Sequence, residues 1–145
     1  MKKTLIGLFA CWVLLQAGAA ELQWLTSLPK AQTQAKSEKK LVMMDFTGSD
    51  WCGWCIKLNK DVFSTKEFAD YAKKNLVLVE VDFPRNKKQS AEQKEANKGL
   101  QDKYRIQGYP TIIVLDGNGK QLGELGYMNS PTAFIKKLDS LKKST

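Results

Sequence analysis

Histidine is absent from this chain, cysteine occurs three times, proline four times, and only one stretch of any length is both apolar and free of charge. Each shortage excludes something. Without imidazole there is no Ser–His or Cys–His catalytic pair, no zinc site that needs His, and no c-type haem motif, whose His follows the second Cys. Chemistry must come from Cys, Asp, Glu, Lys, Tyr, Ser or Thr. Three cysteines are too few for a disulfide-dense mini-fold, and the little proline and glycine present rules out a collagen-like chain. What remains is an ordinary globular composition: 145 residues, 43% hydrophobic, 10% aromatic and 26% charged, enough for one core in one domain.

The uncharged stretch lies at the beginning. Lys2 and Lys3 precede the apolar run Leu5–Leu15, and Gln16-Ala17-Gly18-Ala19-Ala20 follows. This basic, apolar, small-residue order is that of a secretory signal peptide cleaved after Ala19 or Ala20. The alternative is a membrane anchor, but the run is short of the roughly 20 apolar residues a spanning helix needs. A lipid anchor on Cys11 is a weaker reading, because Phe9 is bulky for a lipobox and little hydrophobic chain precedes the cysteine. With residues 1–20 removed, 125 residues remain, the net charge falls from +8 to +6, and the cysteines are reduced to Cys52 and Cys55. A pair three residues apart cannot staple distant segments.

Ser27-Leu28-Pro29 starts a helix over about 28–38, with Leu28, Ala31 and Ala35 on its apolar face. Continuous apolar runs predict buried strands at 41–47, 76–83 and 111–115. Ser64-Thr65-Lys66-Glu67 has capping-box spacing for a helix over about 65–74, with Phe63 poised to staple onto Phe68. Asp116-Gly117-Asn118-Gly119 is a hairpin turn leading to a strand over about 120–125. Ser130 and Pro131 open a last helix whose stripe is Phe134, Ile135, Leu138 and Leu141. Residues 85–99 are polar and are expected to form a partly helical surface insertion. Helices alternating with strands, then an antiparallel pair, predict an α/β fold: a three-layer sandwich with a central mixed β-sheet flanked by helices. The domain spans 21–145.

Cys52-Gly53-Trp54-Cys55 falls between a buried strand and a helix expected to start near Gly53. Free N–H groups and the positive end of the helix dipole favour an anion there, so Cys52 is the candidate thiolate and Cys55, one turn inside, the shielded thiol. Attack by the first sulfur on a disulfide and release by the second is the reason redox chemistry uses two cysteines one turn apart. Two other readings stand beside this one. A zinc site lacks further ligands within the chain, and an inert C-x-x-C disulfide closes too short a loop to stabilise much. No metal and no cofactor beyond a redox-active Cys52–Cys55 disulfide is expected.

The segment Asp45-Phe46-Thr47-Gly48-Ser49-Asp50-Trp51-Cys52-Gly53-Trp54-Cys55, with Gly108-Tyr109-Pro110-Thr111 and the late Gly126, resembles the thioredoxin superfamily, and in particular its exported single-domain members. The likeness covers roughly 24–141. It implies a thioredoxin-like fold, with Cys52 as nucleophile, Cys55 as resolving cysteine, and Pro110 as a cis-proline that exposes the backbone at Tyr109 to an extended substrate segment. Gly53, Thr111, Trp51 and Trp54 would border that substrate, the two tryptophans as an apolar apron; Trp51 as mere packing is the alternative. Asp45 matches a buried acid that exchanges a proton with the second cysteine. Burial would raise its pKa toward the working range. The segment from Asp45 to Cys52 is one residue longer than in plain thioredoxins, which leaves the reach of Asp45 to Cys55 open and offers Asp50 as a second carboxylate or as a solvated loop residue. The longer interval from Cys55 to Pro110 is taken up by 85–99.

The expectation is an exported thiol:disulfide oxidoreductase, of reductase or isomerase-like type, in a bacterial periplasm. Its partners would be protein disulfides and a redox partner, without stable membrane insertion after signal cleavage, and the chain would be a monomer. The alternative is a non-catalytic thioredoxin-like binding or chaperone module. Nucleic-acid binding is not expected, because the lysines are scattered over several elements rather than gathered in one stripe.

Overall fold

A computed structural model describes residues 21–143; the expected signal peptide, with Cys11, lies outside the described residues. The elements run β1 (Trp24–Leu25), α1 (Leu28–Glu38), β2 (Leu41–Thr47), α2 (Gly53–Leu58), α3 (Lys66–Asn75), β3 (Leu76–Asp82), α4 (Ala91–Lys103), β4 (Thr111–Leu115), β5 (Gln121–Leu125) and α5 (Pro131–Lys142). Between α2 and α3 the helix continues as a π turn, Asn59–Phe63. The five strands form one mixed sheet in the order β1-β3-β2-β4-β5, with β2 parallel to β3 and antiparallel to β4. No helix of the described residues is long and apolar enough to cross a membrane.

Side chains alternate across a strand, so β2 divides its residues between two cores. Val42, Met44 and Phe46 join Val77, Val79, Val81, Ile113 and Leu115 beneath α1, with Leu100 and Tyr104 of the α4 region against them. Leu41 and Met43 join Leu76, Leu78 and Val114 beneath the helices on the other face, which contribute Leu58, Phe63, Phe68, Phe134 and Leu138. Phe63 lies 5.0 Å from Phe68 and 5.6 Å from Phe134, ring centre to ring centre, so the expected staple forms. Truncating any of these buried rings to Ala would cost about 3–5 kcal/mol.

Three local features differ from the sequence reading. The two-residue strand β1, paired to Leu78 and Val79, is too short to leave a periodic signal. Thr65 rather than Ser64 caps α3, accepting from the Phe68 N–H at 3.2 Å. Ser64 is already committed, because its N–H closes the π turn on the Asn59 carbonyl and its hydroxyl donates to Asn59 Oδ1. Finally, the polar segment 85–99 is a loop followed by most of α4, and it is not wholly on the surface. Asn97 is buried and donates to the Asp82 carbonyl at 2.8 Å, tying the helix to the end of β3.

Candidate active site

The site sits where β2 and β3 end. Along the face shared by Leu41, Met43, Leu76 and Leu78, the parallel register continues with Asp45 opposite Glu80 and Thr47 opposite Asp82. The face changes from hydrocarbon to carboxyl within one strand repeat. Asp45 is 8% exposed, has Ile112 as its other cross-strand neighbour, and its Oδ1 has no hydrogen-bond partner among the described residues. Burial, then the charges of Glu80 and Asp82, push its pKa up to about 8.

After β2 the chain turns through Gly48–Trp51 into α2. Cys52 is the N-cap residue, extended at φ −83° and ψ 104°, and its Sγ accepts the Cys55 N–H at 3.2 Å. Cys52 and Cys55 are joined by a disulfide, with Cα atoms 5.2 Å apart. When the bond is reduced, that N–H faces a sulfur at a helix start, the arrangement that favours thiolate over thiol. Both sulfur-bearing residues are buried, Cys52 at 7% and Cys55 at 5% exposure, so the expected difference in exposure is small.

Beneath the helix start lies a cleft of about 340 Å³, bordered by Cys55, Asp45, Thr47, Glu80, Asn59 and Lys60. Asp45 and Cys55 therefore border one space. The extra residue before Cys52 serves a purpose of its own. Ser49 donates to Asp82 through its N–H at 2.9 Å and its hydroxyl at 2.5 Å. Asp50 accepts the backbone N–H groups of Arg85, Asn86 and Lys87 at 2.9, 2.7 and 3.0 Å. These donors hold its carboxyl below the usual carboxylate range. Asp50 is thus a partly exposed loop residue, as one reading of the sequence had it, and its three accepted N–H groups give it a further part: it pins the connection after β3 to the loop before the cysteines.

The tryptophans divide. Trp51 is drawn into this clamp, with Nε1 donating to the Phe83 carbonyl at 2.7 Å, the Arg85 guanidinium 4.0 Å above its ring, and Tyr109 edge-on at 6.0 Å. Gly48 leaves the room it needs, since a Cβ there would lie 2.5 Å from the indole. Trp54 is 59% exposed and rests on Tyr127 at 5.0 Å, a ring held by a hydrogen bond from its hydroxyl to Asp61. It and Ile56 are the exposed large hydrophobics of the described residues, and both flank the cysteines. A Cβ at Gly53 would meet nothing within 4 Å, so the surface beside the disulfide is open.

The Tyr109–Pro110 bond is cis, and Thr111 begins β4 opposite Phe46 of β2. Tyr109 stacks on Phe83 at 5.3 Å, and its hydroxyl accepts from Gln101 Nε2 of α4 at 2.6 Å. Gly126 is exposed in open space. Glu80, Asp82 and Ser49 escaped the sequence reading. The acids at 80 and 82 share the parity of Leu76 and Leu78, which is a signal, but only the strand register places Glu80 against Asp45.

A vicinal dithiol/disulfide at a helix start, a buried acid in the same cleft and a cis-proline preceding a strand define a thiol:disulfide oxidoreductase. The family model for the thioredoxin-like domain matches residues 28–142, and the chain belongs to that family. Over 126 residues, 86% of this chain and 75% of the relative, it is 38% identical to the disulfide bond reductase DsbH of Chlamydia pneumoniae. A solved structure described as DsbH oxidoreductase superposes with a TM-score of 0.80 at 37% identity, covering 86% of both chains. A thioredoxin from Thermus thermophilus shares the fold, with a TM-score of 0.65 at 21% identity over 83% of this chain and 87% of that one.

Proposed function

We propose that this oxidoreductase is exported and works as a reductant of protein disulfides in a bacterial periplasm, drawing electrons from a partner dithiol. The observation that carries the reading is the Cys52 sulfur held by the Cys55 N–H, beside a cleft that Cys55 and a buried carboxyl both line. The reductase named among the relatives supports the direction, and the leader-like sequence of residues 1–20 supports export.

In the reduced protein, the Cys52 thiolate attacks a substrate disulfide; one substrate sulfur leaves as thiolate and the other is held in a mixed disulfide. The Cys55 thiol then passes its proton to the Asp45 carboxylate and attacks Cys52 Sγ. The second substrate sulfur leaves, and the two electrons given up by the dithiol are recovered as the Cys52–Cys55 disulfide. An acid that titrates near the working pH suits both directions of this transfer, as acceptor when Cys55 is the nucleophile and as donor when the disulfide is reopened. Trp54 offers an apolar contact, Gly53 leaves access, and the chain around Tyr109, Pro110 and Thr111 pairs with an extended substrate segment through main-chain hydrogen bonds. Trp51 acts on this surface indirectly, by fixing the loop before Cys52. The protein works as a monomer with no cofactor beyond its own disulfide.

The test is reduction of insulin by a dithiol-regenerated protein. Cys52→Ser abolishes turnover, and Cys55→Ser accumulates mixed disulfides on Cys52 that identify the natural partner by mass spectrometry. Turnover that persists in Cys52→Ser removes the assignment.

A further inference from the structure

The cleft under the cysteines contains a second carboxyl that the mechanism above does not use. Glu80 is the direct cross-strand partner of Asp45 in the β2–β3 ladder and lines the same cleft as Cys55. Neighbouring strands lie about 4.8 Å apart, so side chains at paired positions on one face of this parallel ladder stand close enough to interact. The groups facing the pair can be enumerated by element. β3 supplies Glu80 and Asp82, α2 supplies Cys55, the π turn supplies Asn59 and Lys60, the connection after β3 supplies Lys87, and β4 supplies only the hydrocarbon of Ile112. Asp82 is held by Ser49 through both carboxylate oxygens and stands as a fixed neighbour. Glu80 is half-buried, so of the two facing carboxyls it is the one in contact with water.

We propose that Glu80 is a positioning residue for the Cys55 proton, acting on the thiol through Asp45 from across the β2–β3 ladder. The inference rests on the reading that Asp45 exchanges that proton. Two carboxyls in one poorly solvated space do not ionise together. Glu80 is half-buried where Asp45 is buried, so of the two it gives up its proton more readily; burial and the charge of Asp82 raise it, and Lys87 opposes them. Asp45 must then ionise beside a carboxylate already charged, and Glu80 follows burial among the causes that raise it. The outer acid thereby adds to burial in keeping the inner one protonated until the pH approaches the range in which thiols exchange.

The test is a single-turnover reaction of the reduced protein with the small disulfide 5,5′-dithiobis(2-nitrobenzoate), read by stopped-flow absorbance. The first release of chromophore reports attack by Cys52, and the second reports displacement by Cys55. In the wild type the second phase accelerates with pH through the Asp45 midpoint. In Glu80→Gln that midpoint moves down by roughly one pH unit, making the second phase up to about tenfold faster on the acid side, while the first phase is unchanged. Glu80→Lys moves it further the same way, and Glu80→Asp returns it toward the wild type. Packing alone would move the denaturation midpoint and leave the pH profile in place. A midpoint that is unmoved in both Glu80→Gln and Glu80→Lys, yet lost in Asp45→Asn, overturns the role of Glu80 and leaves Asp45 standing. A midpoint that survives in Asp45→Asn overturns the reading on which the proposal rests.

Discussion

Asp45→Asn separates what the buried carboxyl costs the fold from what it does for Cys55. The side chain is buried, with an oxygen that accepts no hydrogen bond among the described residues, so an amide of the same shape forfeits little acceptor pairing. Its pKa rises from an ordinary 3.8 to about 8 on folding. Well below pH 3.8 the folded and unfolded chains both hold the proton and the carboxyl costs nothing. As pH rises through 3.8 the unfolded chain releases the proton while the folded chain keeps it, so stability falls steadily until the folded group ionises near pH 8. Each tenfold difference in proton affinity is worth about 1.4 kcal/mol, which puts the full penalty on the order of 5 kcal/mol. A penalty of that size is a large part of the stability of a domain this small. The assay is urea denaturation of the oxidised protein at pH 4 and pH 8.5, wild type against Asp45→Asn. The two chains should differ little at pH 4, whereas at pH 8.5 the variant should be more stable by several kcal/mol. Any constant effect of the amide cancels in that comparison. A wild-type-to-variant difference that is the same at both pH values would refute the buried, proton-holding state of Asp45.

Two further outcomes follow from the same geometry. Asp50→Asn removes the charge that holds three N–H groups of the 85–87 connection, so its denaturation midpoint should lie below that of the wild type at neutral pH. A carboxyl held below its ordinary pKa contributes above that value and loses its contribution as pH falls, so the two midpoints should converge in acid; a gap that persists at pH 2–3 assigns the effect to shape instead. Trp54→Ala should raise KM for insulin several-fold, leave the reaction with a small aromatic disulfide within about twofold, and hardly change the denaturation midpoint, because the ring is largely in water. Equal losses with both substrates would refute a docking role.

Much of the fold was legible because burial leaves period in a sequence. The runs at 41–47, 76–82 and 111–115, the Pro-led starts of α1 and α5, and the hairpin at 116–119, where Gly119 takes φ 88°, all carry their reasons locally. The cysteine pair was legible for the same reason, since a strand ends before it and a helix begins at it. What could not be read depends on chain segments meeting. A π turn has no motif of its own, and it took the serine that would otherwise have capped α3. Asp50 reads as a loop acid until residues 35 to 37 positions away present their amides to it. Trp51 reads as a second apron residue until Arg85 and Phe83 occupy its surface. Glu80 reads as one charge in a strand until the register sets it against Asp45.

The clamp made by Ser49, Asp50 and Trp51 also limits engineering. Their partners are Asp82 at the end of β3, and Phe83 and the amides of 85–87 on the connection from β3 to α4, so the lengthened loop before the cysteines and the lengthened connection behave as lock and key. Grafting Cys-Gly-Trp-Cys alone onto another thioredoxin-like scaffold would transfer the sulfurs without the frame that aims them. A transplant that keeps this protein's character must carry residues 48–55 and 82–90 together as one cartridge.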